Sequence, residues 1–241
     1  MQTALPVALS AQLALEKRLD TIAHNVANAR TAGFRAEEIK FEALISRAGP
    51  DPVAFASEGT TYLSTRAGEM TQTGNTLDMA VSGDAFFAIQ GPNGPVYTRD
   101  GRMRISAEGT VETLNGYPIL DVGAAPLQVD PNAGPIAIAR DGMITQNGGQ
   151  IGAVGLFAMP RNANLTRFEN SGVIPDQAAV PLVDFGDVGV MQGFVEGSNV
   201  NPVLEISRLI ALQRAFESAS NLVQTSERTL DDAVKNLGNM S

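Results

Sequence analysis

The chain of 241 residues has no cysteine, no tryptophan and a single histidine, His24. Without thiols there is no disulfide, no thiolate nucleophile and no cysteine-based zinc or iron–sulfur site. A Ser-His-Asp arrangement has only His24 to draw on, and a multi-histidine metal site cannot be built. Lysine is nearly missing too: Lys17, Lys40 and Lys235 are the only ones among 17 basic residues, and the formal net charge is −9. With no basic run, neither a nucleic-acid backbone nor an anionic membrane surface is an expected partner. No apolar run reaches the roughly 18 residues that a membrane-spanning helix needs. The start, "MQTALPVALSAQLALEKRLD", has no basic stretch ahead of its apolar part, so a cleaved secretory signal is not expected. If the chain leaves the cytoplasm, another export route carries it.

What is present falls into three zones. Hydrophobic residues make up 44% of the chain, enough for a sizeable core. Residues 5–30 read as a helix. Leu15, Leu19, Ile22, Val26 and Ala29 recur at steps of four and three, a heptad stripe, and Pro6 suits a first turn. "NARTAGF" then ends the helix, with Gly33 as a left-handed cap.

From residue 31 to about 196 glycine is dense and short alternating segments are punctuated by turn dipeptides. "DAFFAIQ-GPNG-PVYTRD" predicts two strands around a four-residue turn. "MRIS-AEG-TVET" predicts a hairpin with Gly109 at positive φ, and "TVETL-NG-YPIL" places Asn115-Gly116 in a type I′ turn. "GMITQ-NGG-QIGAVGLFAM" repeats the pattern, and Arg-Asp-Gly precedes an apolar segment at both 99–101 and 140–142. Phe86 and Phe87 are adjacent in a strand and so face opposite ways, one of them into the core. The zone is a β domain of short strands.

Residues 201–238 predict a second helix, with Ser198 or Asn201 as its cap and Pro202 in its first turn. Ile206, Leu209, Phe216, Val223, Leu230, Val234 and Leu237 share one heptad seam, which Gln213, Ser220 and Glu227 interrupt. The helix is roughly 50 Å long at 1.5 Å per residue, longer than a small β domain is wide. The economical arrangement pairs the two terminal helices. A second apolar set, Leu204, Ile210, Leu212, Ala215 and Ala219, lies off the seam. Two helices alone would leave it in water, so it implies further neighbours that one copy of the chain does not supply.

Other motifs read as structure. Asp100 and Asp141 lack EF-hand spacing and are turn residues, and "GPNG" and "GAVG" are not followed by the Gly-Lys-Ser/Thr of a phosphate loop. His24 has Asp20 and Asn28 within a helical turn and forms no triad. No carboxylate pair can be named from spacing, so the chain is not expected to be an enzyme and no cofactor, metal or small-molecule substrate is expected.

"IAHNVANARTAGFR" resembles the N-terminal signature of bacterial flagellar rod and hook axial proteins. "GNTLDMAVSGDAFFAIQGPNGPVYTRDGRMRIS" is similar to their central block, and "GFVEGSNVNPVLEISRLIALQRAFE" to their C-terminal signature. The positions that carry the match are Asn25, Asn28, Gly33, Phe34, Asn75, Asp78, Phe86, Phe87, Arg99, Gly101, Glu196, Ser198, Asn199, Gln213, Arg214 and Glu217. Within the family, "EGSNVNPV" and the short length fit the proximal-rod members; a distal-rod subunit, or a secreted β-domain adhesin on a helical stalk, is the alternative. His24 stands where the family has asparagine, and "SGDAFF" lacks the family's second glycine.

The resemblance implies an α+β multidomain fold. Residues 1–34 and 197–241 would be the helices of a coiled-coil-like inner domain, 35–70 an extended linker and 71–196 a mainly β outer domain. It implies an assembly interface at Leu15, Leu19, Ile22, Val26, Ile206, Leu209, Phe216, Val223, Leu230, Val234 and Leu237. It implies a hollow, torque-transmitting rod in the periplasmic basal body, with further copies of the chain, other rod proteins and the flagellar type III export apparatus as partners. Asn25 and Asn28 are expected to hydrogen-bond backbone where the first helix gives way to the linker.

Overall fold

The computed structural model describes residues 4–46, 53–57 and 59–238. The chain is α+β, with one helix at each end, α1 (Ala4–Ala27) and α2 (Pro202–Gly238), and short strands between them. Every strand pairing among the described residues is antiparallel. Two compact units result. One gathers the described residues up to Ala27, Glu37–Ser64 and Asn201 onward; the other is Asn28–Ala36 with Thr65–Val200.

In the first unit α1 and α2 are neighbours. α1 stops at Ala27, short of the expected residue 30, because the Asn28 carbonyl accepts from the Thr31 amide (3.1 Å) in a tight turn. The segment expected as a linker is a β ribbon. Glu37–Lys40 pairs with Thr60–Leu63, and Ala43–Ser46 with Val53–Ala56. Glu42 and Ser57 join the two pairs: the Ser57 amide donates to the Glu42 carbonyl (2.9 Å) and the Glu42 amide to Ser57 Oγ (2.8 Å). The ribbon runs beside α1. The Asn25 side chain bonds the Glu37 backbone, Lys17 Nζ donates to the Gly59 carbonyl (3.0 Å), and the Ala56 amide donates to Ser10 Oγ (3.3 Å). Asn25 and Ser10 are about 22 Å apart along the helix at 1.5 Å per residue.

The second unit is built on a six-stranded sheet. Its order is Leu165–Phe168, Gly172–Pro175, Gly94–Thr98, Phe86–Gly91, Leu156–Ala158 and Val180–Pro181. A three-stranded sheet (Ile136–Ile138, Met143–Gln146, Gly149–Ala153) and three strand pairs complete it. The core is continuous through Met79, Val81, Phe87, Ile119, Ile144 and Leu156, all essentially shielded from water. Alternation along Phe86–Gly91 sends Phe87 into this core. Phe86 on the other face is covered within the chain by the Arg99 guanidinium, 5.7 Å from the ring centroid.

Turn chemistry sets the registers. Gln146 pairs with Gly149 across Asn147 (φ 51°) and Gly148 (φ 78°), a type I′ turn. Asn115-Gly116, expected to form the same turn, does not. Only Gly116 has positive φ (86°), its amide donates to the Thr113 carbonyl (2.9 Å), and Thr113 donates to the Tyr117 carbonyl (2.9 Å). Leu114 makes the loop three residues long, which selects a type I turn closed by a glycine bulge. "GPNG" is tighter than expected, since pairing runs through Gly91 and Gly94 and leaves two residues to turn. Gly109 has the expected positive φ (87°).

Gly101 is the tightest approach in the core. A Cβ there would sit 1.7 Å from the Met79 carbonyl oxygen, on a strand whose amide donates to the Gly101 carbonyl (2.8 Å). Gly101→Ala is expected to cost about 3 kcal/mol, the upper end of overpacking. Urea unfolding of the purified chain measures it as a lower midpoint at unchanged m-value.

Candidate assembly interface

The helices of the first unit are only partly covered. On α1, Ile22 is buried and Leu15, Leu19 and Val26 are half-buried, while Leu9 and Leu13 are exposed. On α2 the covered stripe is Glu205, Leu209, Leu212, Phe216, Ala219 and Val223. These steps of four and three keep the heptad period. The stripe takes Leu212 where the sequence seam passes through Gln213, and Glu205 where it passes through Ile206. The apolar member of each neighbouring pair decides at 212. At 205 the buried carboxylate is paired with Arg208, whose Nη1 donates to Glu205 Oε1 (2.6 Å), and it lies in the first helical turn, where the helix dipole favours negative charge. Ile206 is therefore exposed, together with Val203, Leu204, Ile210 and Leu222. The side chains of Leu230, Val234 and Leu237 lie outside the described residues. Gln213, Arg214 and Glu217 face water. On the ribbon Leu44 and Ile45, successive residues of one strand, are both exposed, so both of its faces carry uncovered apolar groups.

The signature polar residues are structural pins. Asn25 grips both backbone groups of Glu37: Nδ2 donates to the carbonyl (2.8 Å) and Oδ1 accepts from the amide (2.9 Å). This bidentate bond closes the loop from the end of α1 back to the ribbon, and Asn25 is buried. His24 Nδ1 lies 3.5 Å from Glu37 Oε2. Asn28 Oδ1 accepts from the Thr31 hydroxyl (3.1 Å). Asn201 caps α2, its Oδ1 accepting from the Leu204 amide (3.1 Å), whereas Ser198 Oγ accepts from Val200 (3.2 Å) in the preceding turn.

In the second unit the signature residues converge on one buried carboxylate. Glu196 Oε2 accepts from Arg99 Nε (2.6 Å), and Oε1 accepts from the Gly68 amide (2.9 Å) and lies 3.1 Å from Arg35 Nη2. All three charged side chains are almost fully excluded from water. Arg99 also donates to the carbonyls of Gly83 and Ala85, and Arg35 to those of Thr65 and Arg66. Burial pushes the Arg35 guanidinium down from its ordinary value, Glu196 pulls it back up, and Arg99 pushes it down again. Around the cluster the Gly33 amide donates to the Glu196 carbonyl (2.8 Å), and Asn199 accepts from the Ala36 amide (2.7 Å) and donates to the Arg66 carbonyl (2.7 Å). Phe34 is fully buried under Arg167, whose guanidinium carbon is 4.3 Å from the ring centroid and whose Nη2 donates to the Arg35 carbonyl (2.6 Å). Asn75 and Asp78 form a separate knot. The Asp78 carboxylate accepts from the Thr73 hydroxyl (2.7 Å) and from Asn75 Nδ2 (3.1 Å).

Sequence reasoning named Gly33, Phe34, Arg99, Glu196 and Asn199 but not Arg35 or Gly68. Arg35 occupies the basic position that closes the N-terminal signature, the one local hint that it carries a role. Gly68 has none in its own neighbourhood. A Cβ there would meet the Gly197 carbonyl at 2.0 Å, a contact across more than a hundred residues of chain.

The chain matches the family models described as "Flagella basal body rod protein" over residues 5–35, "Flagellar hook protein FlgE/F/G D1 domain" over 80–146 and "Flagellar basal body rod FlgEFG protein C-terminal" over 191–236. It is 50% identical to the flagellar basal-body rod protein FlgF of Mesorhizobium japonicum, with 100% of each chain covered. It is 49% identical to FlgF of Rhizobium meliloti over 99% of each. To the flagellar basal-body rod protein FlgG of Bacillus subtilis it is 32% identical over 91% of this chain and 93% of that one.

Glu196→Gln keeps the shape of the site but removes the carboxylate that bonds Arg99 and pairs with Arg35, two buried guanidinium groups. The expected loss of stability is about 3–5 kcal/mol, the cost of breaking a buried ion pair on one side. Chemical denaturation followed by circular dichroism measures it; a loss below about 1 kcal/mol would mean that the cluster is solvated.

Proposed function

The chain belongs to the bacterial flagellar basal-body rod protein family, and on that premise we propose that it is a structural subunit of the proximal rod that polymerises through its terminal helices. The observation that carries the mechanism is the apolar surface that one copy leaves uncovered: Leu9 and Leu13 on α1, and Val203, Leu204, Ile206, Ile210 and Leu222 on α2. Fully covering one such side chain is worth about 1.5–3 kcal/mol. A soluble monomer seldom leaves so many on two adjacent helices. In the rod, α1 and α2 pack as a coiled-coil-like pair, and their remaining faces meet the helices of other copies and of other rod proteins. A heterologous contact of this kind repeats along a helical axis without closing on itself, which yields a tube.

Parallel long helices make such a tube stiff, and stiffness is what torque transmission from motor to hook requires. The hollow centre passes exported subunits. The chain itself reaches the periplasmic rod through the flagellar type III export apparatus. The proximal reading is favoured over the distal one by the higher identity to the FlgF relatives than to the FlgG relative.

The test uses a residue that has little folding role within one copy. Ile206→Asp places a charge on the exposed face of α2, so the purified monomer is expected to keep its stability within about 0.5 kcal/mol. In a strain that lacks the native gene, the variant is expected to be exported yet absent from isolated basal bodies, and the cells to be non-motile. Normal incorporation and swimming would sink the proposed interface.

A further inference from the structure

We infer that Asn147 is a site of spontaneous deamidation, and that the fold protects the chemically equivalent Asn115. Both precede glycine, the neighbour that least hinders attack of a backbone nitrogen on the asparagine side chain. In that reaction the glycine nitrogen bonds to the Asn Cγ and gives up its proton to solvent. The Cγ–Nδ2 bond breaks and ammonia leaves, so a cyclic imide remains. Water then opens the imide at either carbonyl, giving aspartate or its β-linked isomer. The step needs a mobile side-chain amide, an unengaged glycine amide and access for water.

Asn147 meets these conditions. It is exposed at the tip of the Met143–Gln146 and Gly149–Ala153 hairpin. Its side-chain amide makes no hydrogen bond among the described residues, and the Gly148 amide makes no backbone hydrogen bond. A Cβ built on Gly148 would meet nothing within 4 Å, so no neighbouring part of the chain crowds the Gly148 Cα. Asn147 also sits at φ 51°, a region that β-linked rearrangement releases. Asn115 fails on the first two counts. Its Nδ2 donates to Glu169 Oε2 (2.9 Å), and the Gly116 amide is committed to the Thr113 carbonyl (2.9 Å). Glu169 is itself fixed by the Tyr117 hydroxyl, which donates to Oε1 (2.7 Å). At the third Asn-Gly pair, Asn93-Gly94, the glycine belongs to the strand pairing with Gly91.

The β-linked product matters because of its neighbour. Gln146 is buried and pins the 130–134 loop: Nε2 donates to the carbonyls of Asp130 (2.8 Å) and Gly134 (2.9 Å), and Oε1 accepts from the Asp130 amide (3.2 Å). An extra backbone atom at 147 breaks the Gln146–Gly149 register on which that grip depends.

The full-length purified protein, held at mildly alkaline pH and mapped by peptide mass spectrometry over time, tests this. Asn147 is expected to convert faster than Asn115 and Asn93 by about tenfold or more. The aged fraction should exchange amides faster at 130–146 than fresh protein. Glu169→Gly, which suits the positive φ at 169 and frees Asn115, should raise the Asn115 rate toward that of Asn147. Equal rates at the three sites in the native chain, or a faster Asn115 or Asn93, would overturn the inference. So would conversion of Asn147 only in urea-unfolded protein.

Discussion

The second unit depends on a single carboxylate. Glu196 takes hydrogen bonds from Arg99 and the Gly68 amide and pairs with Arg35 in a site from which water is excluded. An ion cluster of this kind adds little net stability over an apolar one, because desolvation offsets the Coulomb gain. What it supplies is specificity. The segments at 33–36, 65–68 and 196–199 come from three distant parts of the sequence, and each has polar backbone that must find a partner. The two arginines and Asn199 provide those partners: Thr65, Arg66, Gly83 and Ala85 offer carbonyls, and Ala36 offers its amide. Three of the four places where the chain passes between the units, after Ala36, before Thr65 and after Val200, adjoin segments of this knot.

The two units differ in where their apolar side chains are covered. The second has a continuous core, in which Phe87, Ile119, Ile144 and Leu156 find cover and even Phe86 is closed over by Arg99, although Leu114, Val122, Ile151, Ile174, Val180 and Val183 stay exposed around it. The first has two neighbouring helices and a ribbon, and leaves Leu9, Leu13, Leu44, Ile45, Val203, Leu204, Ile206, Ile210 and Leu222 in water. With domain stability only about 5–15 kcal/mol in general, such a deficit makes the first unit's order conditional on what binds it. The chain is thus half finished part and half joint, as the proposed assembly through the terminal helices requires.

Much of this was legible in local sequence. The heptad steps of Leu15, Leu19, Ile22 and Val26 marked α1, and the long apolar periodicity marked α2. Gly109 and the clustered turn dipeptides marked the β zone. What escaped was whatever depends on length or distance. Asn115-Gly116 and Asn147-Gly148 are the same dipeptide, but Leu114 lengthens the first loop by a residue and changes its turn. Gln213 lay on the arithmetic seam of α2, and the chain covers Leu212 instead, the apolar member of that pair, while the same shift covers Glu205 and exposes Ile206. Residues 35–70 read as a linker, since the bonds that make them a ribbon reach to Ser10, Lys17 and Asn25. Arg35 and Gly68 carry no periodic signal at all: their partner is Glu196.

The most direct test is amide hydrogen exchange on the dilute full-length monomer and on the same chain within isolated basal bodies. The account predicts that amides around Phe87, Ile119 and Leu156 are protected equally in both states. Those of α1 and α2 should exchange quickly in the monomer and slow sharply in the rod. Full protection of both helices in the dilute monomer would contradict it, because one copy would then be hiding its own apolar surface.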